Sequence, residues 1–282
     1  MLEIKNELEK RINLEDISKF YWYAVKQEWD IKKICLATNI LKEYKTNDEG
    51  LNYEKFFRKK VNEYNEQNES LNKLNHRCTN TAIYLNFTSD GVGYKDKKIT
   101  PIFEKILLLS NGNFNNIESY YEIYETQVEK MYFDFKFVEK KTDEKFVVHP
   151  LFILYKILLL VGEYTKEYKI TLKEFKAFVV FIHNYSEVYN CFFLLLHTRA
   201  LYPELIDKIA DKITEVRFQK VFKDLDTLNI EKNKIELNYQ YIEIVKKKIY
   251  AYEKLVIEKM NLENMHQALV SDKNIFDFYK EV

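Results

Sequence analysis

The chain has 282 residues, of which 46% are hydrophobic and 16% aromatic, with only 5 Gly and 3 Pro. This composition excludes a disordered chain and indicates an ordered, mostly helical protein. Lys plus Arg and Asp plus Glu both number 44, which excludes a uniformly basic nucleic-acid binder, so any such function needs local segregation of charge.

The first part of the chain contains two helical regions and a charged start. Apolar residues at three- and four-residue steps predict helices within 14–45 and over 51–67. The start carries Lys5, Lys10 and Arg11 among acidic residues. It is either an arm that reaches a DNA minor groove or the plain beginning of a helix.

A third helix and a hairpin are predicted next. Apolar residues that include Cys78 recur on one face of residues 70–85, which indicates an amphipathic helix. Residues 86–99 contain two glycines between short extended pieces, the signature of a hairpin. Thr100 and Pro101 are typical of the cap and the first position of a further helix.

The second half repeats this order of parts. Residues 113–149 predict an amphipathic helix followed by strand-like pieces, and residues 151–162 predict a core helix. Thr171 can cap the first of several further helices. An alternating pattern over 230–238 predicts a hairpin with Lys232 at its tip, and a long helix follows.

Two general features bear on the cellular setting. Cys35, Cys78 and Cys191 form no Cys-x-x-Cys pair, which argues against disulfides and thiolate zinc sites and predicts a reducing, cytoplasmic location. The apolar run over 151–162 is shorter than the roughly 20 residues that a bilayer needs, so no membrane association is expected.

Helices followed by a small hairpin are the parts of a winged helix, whose recognition helix enters the major groove, about 12 Å wide. The predicted fold class is therefore mainly α with small β-hairpin wings, an α+β protein. Residues 1–112 form a first winged-helix subdomain with an N-terminal arm, 113–170 a linker subdomain, and 171–282 a second winged-helix subdomain.

The first predicted surface is chemically suited to DNA. Asn side chains can pair with adenine, Arg and Lys with guanine, and lysines of a wing with phosphates. An ordinary solvated face is the alternative for each residue. The candidate DNA-binding residues are Asn72, Lys73, Asn75, His76, Arg77, Asn80, Lys95, Lys97 and Lys98.

The second predicted surface combines a helix with the second hairpin. Apolar residues that include Val221 and Phe222 face the core, and basic and amide side chains face outward. Acidic residues at the end of this helix place the expected contacts at its start. The candidate DNA-binding residues here are Arg217, Gln219, Lys220, Lys223, Lys232 and Lys234.

The sequence supports a catalytic site less well than it supports DNA binding. Asp134, Glu139 and Lys141 are the residue types that hold Mg²⁺ in nucleases, but their spacing is too tight for the usual hairpin between the acids. A solvated strand edge is expected instead. His76 and Cys78 are two residues apart and would point to different sides of a helix, which argues against nucleophilic chemistry.

Other polar residues have plain structural explanations. The scattered histidines adjoin apolar runs and are expected to be structural rather than metal ligands. The run of three lysines over 246–248 either touches a DNA backbone or is a solvated face. The scattered histidines are His149, His183 and His197.

The order of three segments resembles the DNA-recognition portion of type IIS restriction endonucleases of the BpuJI kind. The segments are KLNHRCTNTAIYLNFTSDGVGYKDKKITPIFEKIL, YKITLKEFKAFVVFIHNY and EVRFQKVFKDLDTLNIEKNKIELN. The resemblance implies two winged helices that bind a short asymmetric double-stranded DNA site as a monomer. It also implies a Mg²⁺-dependent nuclease domain outside this chain, with no cofactor or catalytic residue here. A helical protein-interaction module is the alternative.

Overall fold

The structure, a computed structural model, describes residues 2–15, 17, 20–21, 29–47, 49–65, 74–89, 91, 93–131, 133–134, 147–213 and 218–258. Over these ranges it is mainly helical with a three-stranded antiparallel sheet, which confirms the α+β class. The chain forms two compact units. We call Met1–Ala24 with Lys130–Val282 the large unit, and Val25–Glu129 the small unit.

In chain order, the described elements are helices, 3₁₀ helices and short strands. Up to residue 134 they are α1 (Leu2–Asn13), α2 (Ile31–Lys45), α3 (Tyr53–Asn65), a 3₁₀ helix (His76–Ile83), α4 (Pro101–Ser110), a 3₁₀ helix (Ile117–Tyr120), α5 (Tyr121–Lys130) and β1 (Phe133–Asp134). From residue 147 they are β2 (Val147–Val148), α6 (Pro150–Thr165), β3 (Lys169–Thr171), α7 (Leu172–Ala177), 3₁₀ helices (Val179–Phe181 and Tyr185–Glu187), α8 (Val188–Leu201), α9 (Pro203–Lys212), α10 (Phe218–Phe222), β4 (Leu228–Ile230), β5 (Lys234–Leu237), a 3₁₀ helix (Tyr239–Tyr241) and α11 (Ile242–Glu258).

Side-chain caps set where several helices begin and end. The carboxylate of Asp30 accepts from two backbone amides at the start of α2, and the Thr100 hydroxyl accepts from the third residue of α4. Pro101 occupies the first turn of α4 as predicted. The helix ends where Asn111 and Gly112 adopt positive φ angles of 48° and 74°, conformations that glycine and asparagine tolerate best.

The stretch predicted as a helix over 70–85 is different in the part that the structure describes. His76–Ile83 is a 3₁₀ helix. The Thr79 hydroxyl donates to the carbonyl of His76 at 2.6 Å, and the Thr81 hydroxyl donates to the carbonyl of Cys78 at 2.5 Å. Such local bonds to carbonyls three residues back favour tighter turns over an α-helix. Cys78 is buried, as predicted.

The first predicted hairpin is reduced to one bridge. Thr88 pairs with Ile99, and the amide of Ser89 donates to the carbonyl of Lys98 at 2.8 Å. The turn is closed by backbone bonds, in which the amides of Asp96 and Lys97 donate to the carbonyl of Gly93 at 3.1 Å and 3.3 Å, and by a carboxylate oxygen of Asp96, which accepts from the amide of Gly93 at 3.0 Å. In the residues that are described, this segment is a loop rather than a regular wing.

Helix α6 forms the centre of the large unit. Most of its residues from Pro150 to Gly162 are buried, and Phe152 stacks on Tyr252 of α11 with ring centroids 4.3 Å apart. This confirms the prediction of a core helix. Among the described helices, none has the length and apolar character that crossing a membrane requires.

The three-stranded sheet joins distant parts of the large unit. Its strand order is β3-β5-β4, with Ile170 opposite Ile235 and Ile235 opposite Ile230. The predicted hairpin is confirmed by the antiparallel pairing of β4 with β5. Because β3 pairs with β5, the sheet spans the boundary that we predicted at residue 170.

Candidate nucleic-acid interface

The β4–β5 hairpin is fixed at both ends. At its tip, the amide of Leu172 donates to the carbonyl of Asn233 at 2.9 Å, which ties the tip to the start of α7. At its base, the Tyr155 hydroxyl of α6 lies 2.6 Å from the Thr227 hydroxyl, and both residues are buried. The hairpin is therefore held against the core and presents Lys232, which is exposed at the tip.

Replacing Tyr155 with Phe tests this anchor. The substitution leaves the Thr227 hydroxyl without its partner in a buried position, so we expect the free energy of unfolding to fall by about 1–3 kcal/mol. Urea denaturation measures the change. Tyr164→Phe is the control, because Tyr164 is 73% exposed; equal effects of the two substitutions would contradict the anchoring role.

Helix α10 directly precedes this hairpin. Val221, Phe222 and Leu225 are buried, as predicted for its apolar side. Lys220 is exposed, and Lys223 is exposed with its ammonium 3.9 Å from the carboxylate of Asp224. Two of the predicted contacts cannot be placed in the same way: Arg217 and the side chain of Gln219 lie outside the described residues.

The lysines near the hairpin differ in how their charge is compensated. Lys234 lies 3.0 Å from the carboxylate of Glu236 and 3.3 Å from that of Glu231, and the hydrogen bonds that its ammonium donates to these carboxylates raise the pKa of Lys234. Lys220 and Lys232 form no ion pair with any residue that the structure describes. The free positive charge of this region is thus at Lys220 and Lys232.

Two of the three lysines over 246–248, in the first part of α11, are paired or buried within the protein. The ammonium of Lys246 lies 2.8 Å from the carboxylate of Glu243, and Lys248 is only 9% exposed. Lys247 is the exposed member of the run. The run is therefore not a continuous basic surface.

Two of the predicted base-reading residues in the small unit have local roles. The Asn75 side-chain oxygen accepts from the amide of Arg77 at 3.0 Å and so caps the 3₁₀ helix. A two-bond contact with adenine needs that oxygen, so it conflicts with the cap. His76 is half-buried with its ring 6.0 Å from the ring of Tyr94.

The rest of this predicted face is mixed. Arg77 is exposed and Asn80 is half-buried. Burial raises the pKa of Tyr94, and a hydrogen bond with Thr79 and the charge of Arg77 act in the opposite direction. Asn72 and Lys73 lie outside the described residues.

The predicted wing lysines of the small unit fall into two classes. The structure corrects the prediction for Lys97, which is only 5% exposed and so is not available to a phosphate. Lys95 and Lys98 are exposed, and the Lys95 ammonium lies 5.8 Å from the centre of the Tyr44 ring. Lys45, at the end of α2, donates to the carbonyl of Lys95. Sequence reasoning missed Lys45 because nothing local links it to the loop.

The charged N-terminal residues lie in a helix. α1 contains Lys5, Lys10 and Arg11, so of the two alternatives the structure has the plain helix. For the nuclease alternative, Asp134 ends β1, whereas Glu139 and Lys141 lie outside the described residues. Over the described ranges, no group of three His, Cys, Asp or Glu side chains is arranged to hold a metal ion.

The histidines and cysteines have contacts within the protein. Cys35, Cys78 and Cys191 are buried free thiols. Three of the histidines have a hydrogen-bond partner within the protein: His149 with Tyr252, His183 with the carbonyl of Phe20, and His197 with the carbonyl of Phe193.

No protein-family model matches the chain, and no curated protein matches it significantly.

Proposed function

We propose that this chain binds double-stranded DNA through helix α10 and the β4–β5 hairpin of its large unit. The observation that carries the proposal is the sheet order β3-β5-β4, with α10 placed directly before the hairpin. A winged helix combines a recognition helix with a hairpin wing in this way. In this proposal, α10 and the β4–β5 hairpin belong to a winged-helix-like subdomain. Helix α6 and strand β3 complete the core behind the hairpin.

Charge supports this surface. Lys220 on α10 and Lys232 at the hairpin tip are exposed, and neither is paired with an acid in the described part of the chain. Exposed, uncompensated ammonium groups gain most from a phosphate, because binding releases counterions from the DNA. Lys234, which two carboxylates already compensate, is proposed to hold the hairpin rather than to contact DNA.

The small unit is proposed to supply a second DNA contact. Its exposed cations include Arg77, Lys95 and Lys98, and Lys45 joins them through its bond to the loop. On the resemblance to type IIS recognition portions, we propose that the target is a short asymmetric duplex site bound by one monomer. Arg77 is the residue proposed to read a base there, since arginine pairs with guanine in two hydrogen bonds.

Selection from a pool of randomised duplexes tests the proposed function. We expect one short asymmetric motif to be enriched, and we expect the logarithm of its binding constant to fall linearly with the logarithm of the salt concentration. A pool that shows neither enrichment nor salt dependence would sink the proposal.

A protein-interaction function is the second candidate. It is favoured by α4, where Leu108 is 79% exposed and Leu109 is 45% exposed, because large apolar side chains exposed at neighbouring positions suit a protein partner. Sedimentation velocity tests the simplest case, self-association. Under this candidate, association rises with concentration and is lost in Leu108→Gln, whereas the duplex pool gives no enrichment.

A further inference from the structure

A groove of about 460 Å³ in the large unit has no role in the proposed DNA binding. It lies between α1, α8 and the segment 178–182, all within that unit. Grooves of roughly 300–1,000 Å³ are the size that small organic ligands occupy. Phe181, Phe193 and Leu194 contribute apolar surface, and Phe193 is 54% exposed although it is a large aromatic residue.

A cation is held inside this apolar surface. The side chain of Arg11 is only 19% exposed, and its guanidinium carbon lies 4.8 Å from the centre of the Phe181 ring. Burial lowers the pKa of Arg11, although nearby groups that include the Glu7 carboxylate act in the opposite direction. The protein therefore leaves this charge with little water around it.

The hydrogen-bonding capacity of Arg11 is only partly used. A guanidinium has five N–H donors. One nitrogen donates to the carbonyl of Ala177 at 3.0 Å, and another lies 3.7 Å from the Glu7 carboxylate, which is beyond a normal hydrogen bond. Over the described ranges, Arg11 has no other hydrogen-bond partner.

Two acids also line the groove, and the negative charges of both Glu7 and Glu187 act on Arg11. The Glu7 side chain is 50% exposed and can turn to solvent when another carboxylate takes its place. One carboxylate oxygen of Glu187 accepts from the amide of His183 at 2.9 Å, which holds this side chain in position. Asn190 and His197 are the other polar residues of the lining.

We propose that this groove binds a small organic anion, a carboxylate with an apolar body, whose carboxylate pairs with Arg11 while its body lies on Phe193 and Leu194. Arginine suits this ligand because its planar fork matches a carboxylate with two parallel hydrogen bonds. The apolar walls of the groove would contact the apolar body of the ligand. The N–H donors of Arg11 that have no partner in the described residues would bind its carboxylate. The site does not depend on the proposed DNA binding.

Octanoate and octanol, which have the same apolar chain and differ in charge, test the proposal on the full chain without DNA. We expect isothermal titration to give octanoate at least about a tenfold lower Kd than octanol, because a charge-assisted pair is stronger than a neutral one. Equal affinities, or no binding of octanoate at millimolar concentration, would overturn the proposal.

Two variants locate the site. Arg11→Gln is expected to remove the preference for octanoate, and Phe193→Ser to weaken both ligands. Phe193 is half exposed, so its substitution leaves the core intact and covers the case in which Arg11→Gln does not fold. Lys166→Gln, an exposed cation outside the groove lining, is the control and keeps the preference. An unchanged preference in Arg11→Gln, with unchanged affinities in Phe193→Ser, would contradict this placement.

Discussion

Glu174→Ala is expected to lower the free energy of unfolding by about 3–5 kcal/mol, the range for breaking a buried ion pair by removing one partner. Glu174 is 4% exposed, and its carboxylate accepts from an Arg199 nitrogen at 2.8 Å and from the amide of Thr171 at 2.7 Å. A second Arg199 nitrogen donates to the other carboxylate oxygen.

The substitution removes several interactions at one junction. It leaves Arg199 partly buried without its carboxylate, and it breaks the capping box that fixes the start of α7. Because Arg199 also lies 3.4 Å from the carbonyl of Lys169 in β3, the pair connects α8 to the edge of the sheet. The loss should therefore reduce the stability of the proposed DNA-binding unit as a whole.

Chemical denaturation followed by circular dichroism measures the change. Lys173→Ala removes an ion pair with Asp207 in which both side chains are 56% exposed, so it should change the stability little. The double variant Glu174→Leu with Arg199→Met removes both charges and should cost less than Glu174→Ala. If Glu174→Ala costs no more than Lys173→Ala, the pair does not have this role.

Lys220→Gln combined with Lys232→Gln is expected to weaken binding to the selected duplex about 100-fold near 0.1 M salt. Each phosphate contact contributes about tenfold at this salt concentration through counterion release, and the salt slope should fall by about two. Since neither lysine has an acidic partner in the described part of the chain, the substitutions leave no carboxylate unpaired. Fluorescence anisotropy over a series of salt concentrations measures both quantities.

The matched control removes two lysines whose charge is already compensated. Lys59 lies 2.9 Å from the carboxylate of Glu49, and Lys60 lies 3.2 Å from that of Glu43. Lys59→Gln combined with Lys60→Gln changes the net charge by the same amount and should leave the affinity within a few-fold of the wild type. Equal losses in the two double variants would show that only the overall charge matters.

Local signals in the sequence predicted much of the fold. Thr100 and Thr171 cap helices as expected, the latter in a capping box with Glu174. The apolar run over 151–162 is buried in α6, and the second hairpin turns at Lys232. Each of these features depends on residues a few positions apart, which is why spacing and residue type were enough.

Other features depend on contacts that the sequence pattern does not contain. The apolar spacing over 70–85 is compatible with both an α-helix and a 3₁₀ helix. The structure has a 3₁₀ helix, in which the hydroxyls of Thr79 and Thr81 donate to backbone carbonyls. The pairing of β3 with β5 joins strands that are far apart in the chain, and a strand of three residues carries almost no periodic signal.

The environments of the candidate functional side chains also depend on contacts that the sequence pattern does not contain. Lys97 and Lys98 are neighbours in one loop, yet the first is buried and the second exposed. Arg11 appeared as one of several charges in an N-terminal segment, and its place against Phe181 depends on how α1 packs in the large unit. Charge and residue type are visible in a sequence, whereas burial and pairing are set by tertiary contacts.

Photo-crosslinking to the selected duplex tests most directly whether the β4–β5 hairpin contacts DNA. A photo-reactive residue is placed at position 232, at the hairpin tip, and in a second protein at position 59, where Lys59 is paired with Glu49. The proposed function predicts a DNA crosslink from position 232 that excess unlabelled duplex abolishes, and none from position 59. No crosslink from position 232 under conditions where the duplex is fully bound would contradict it.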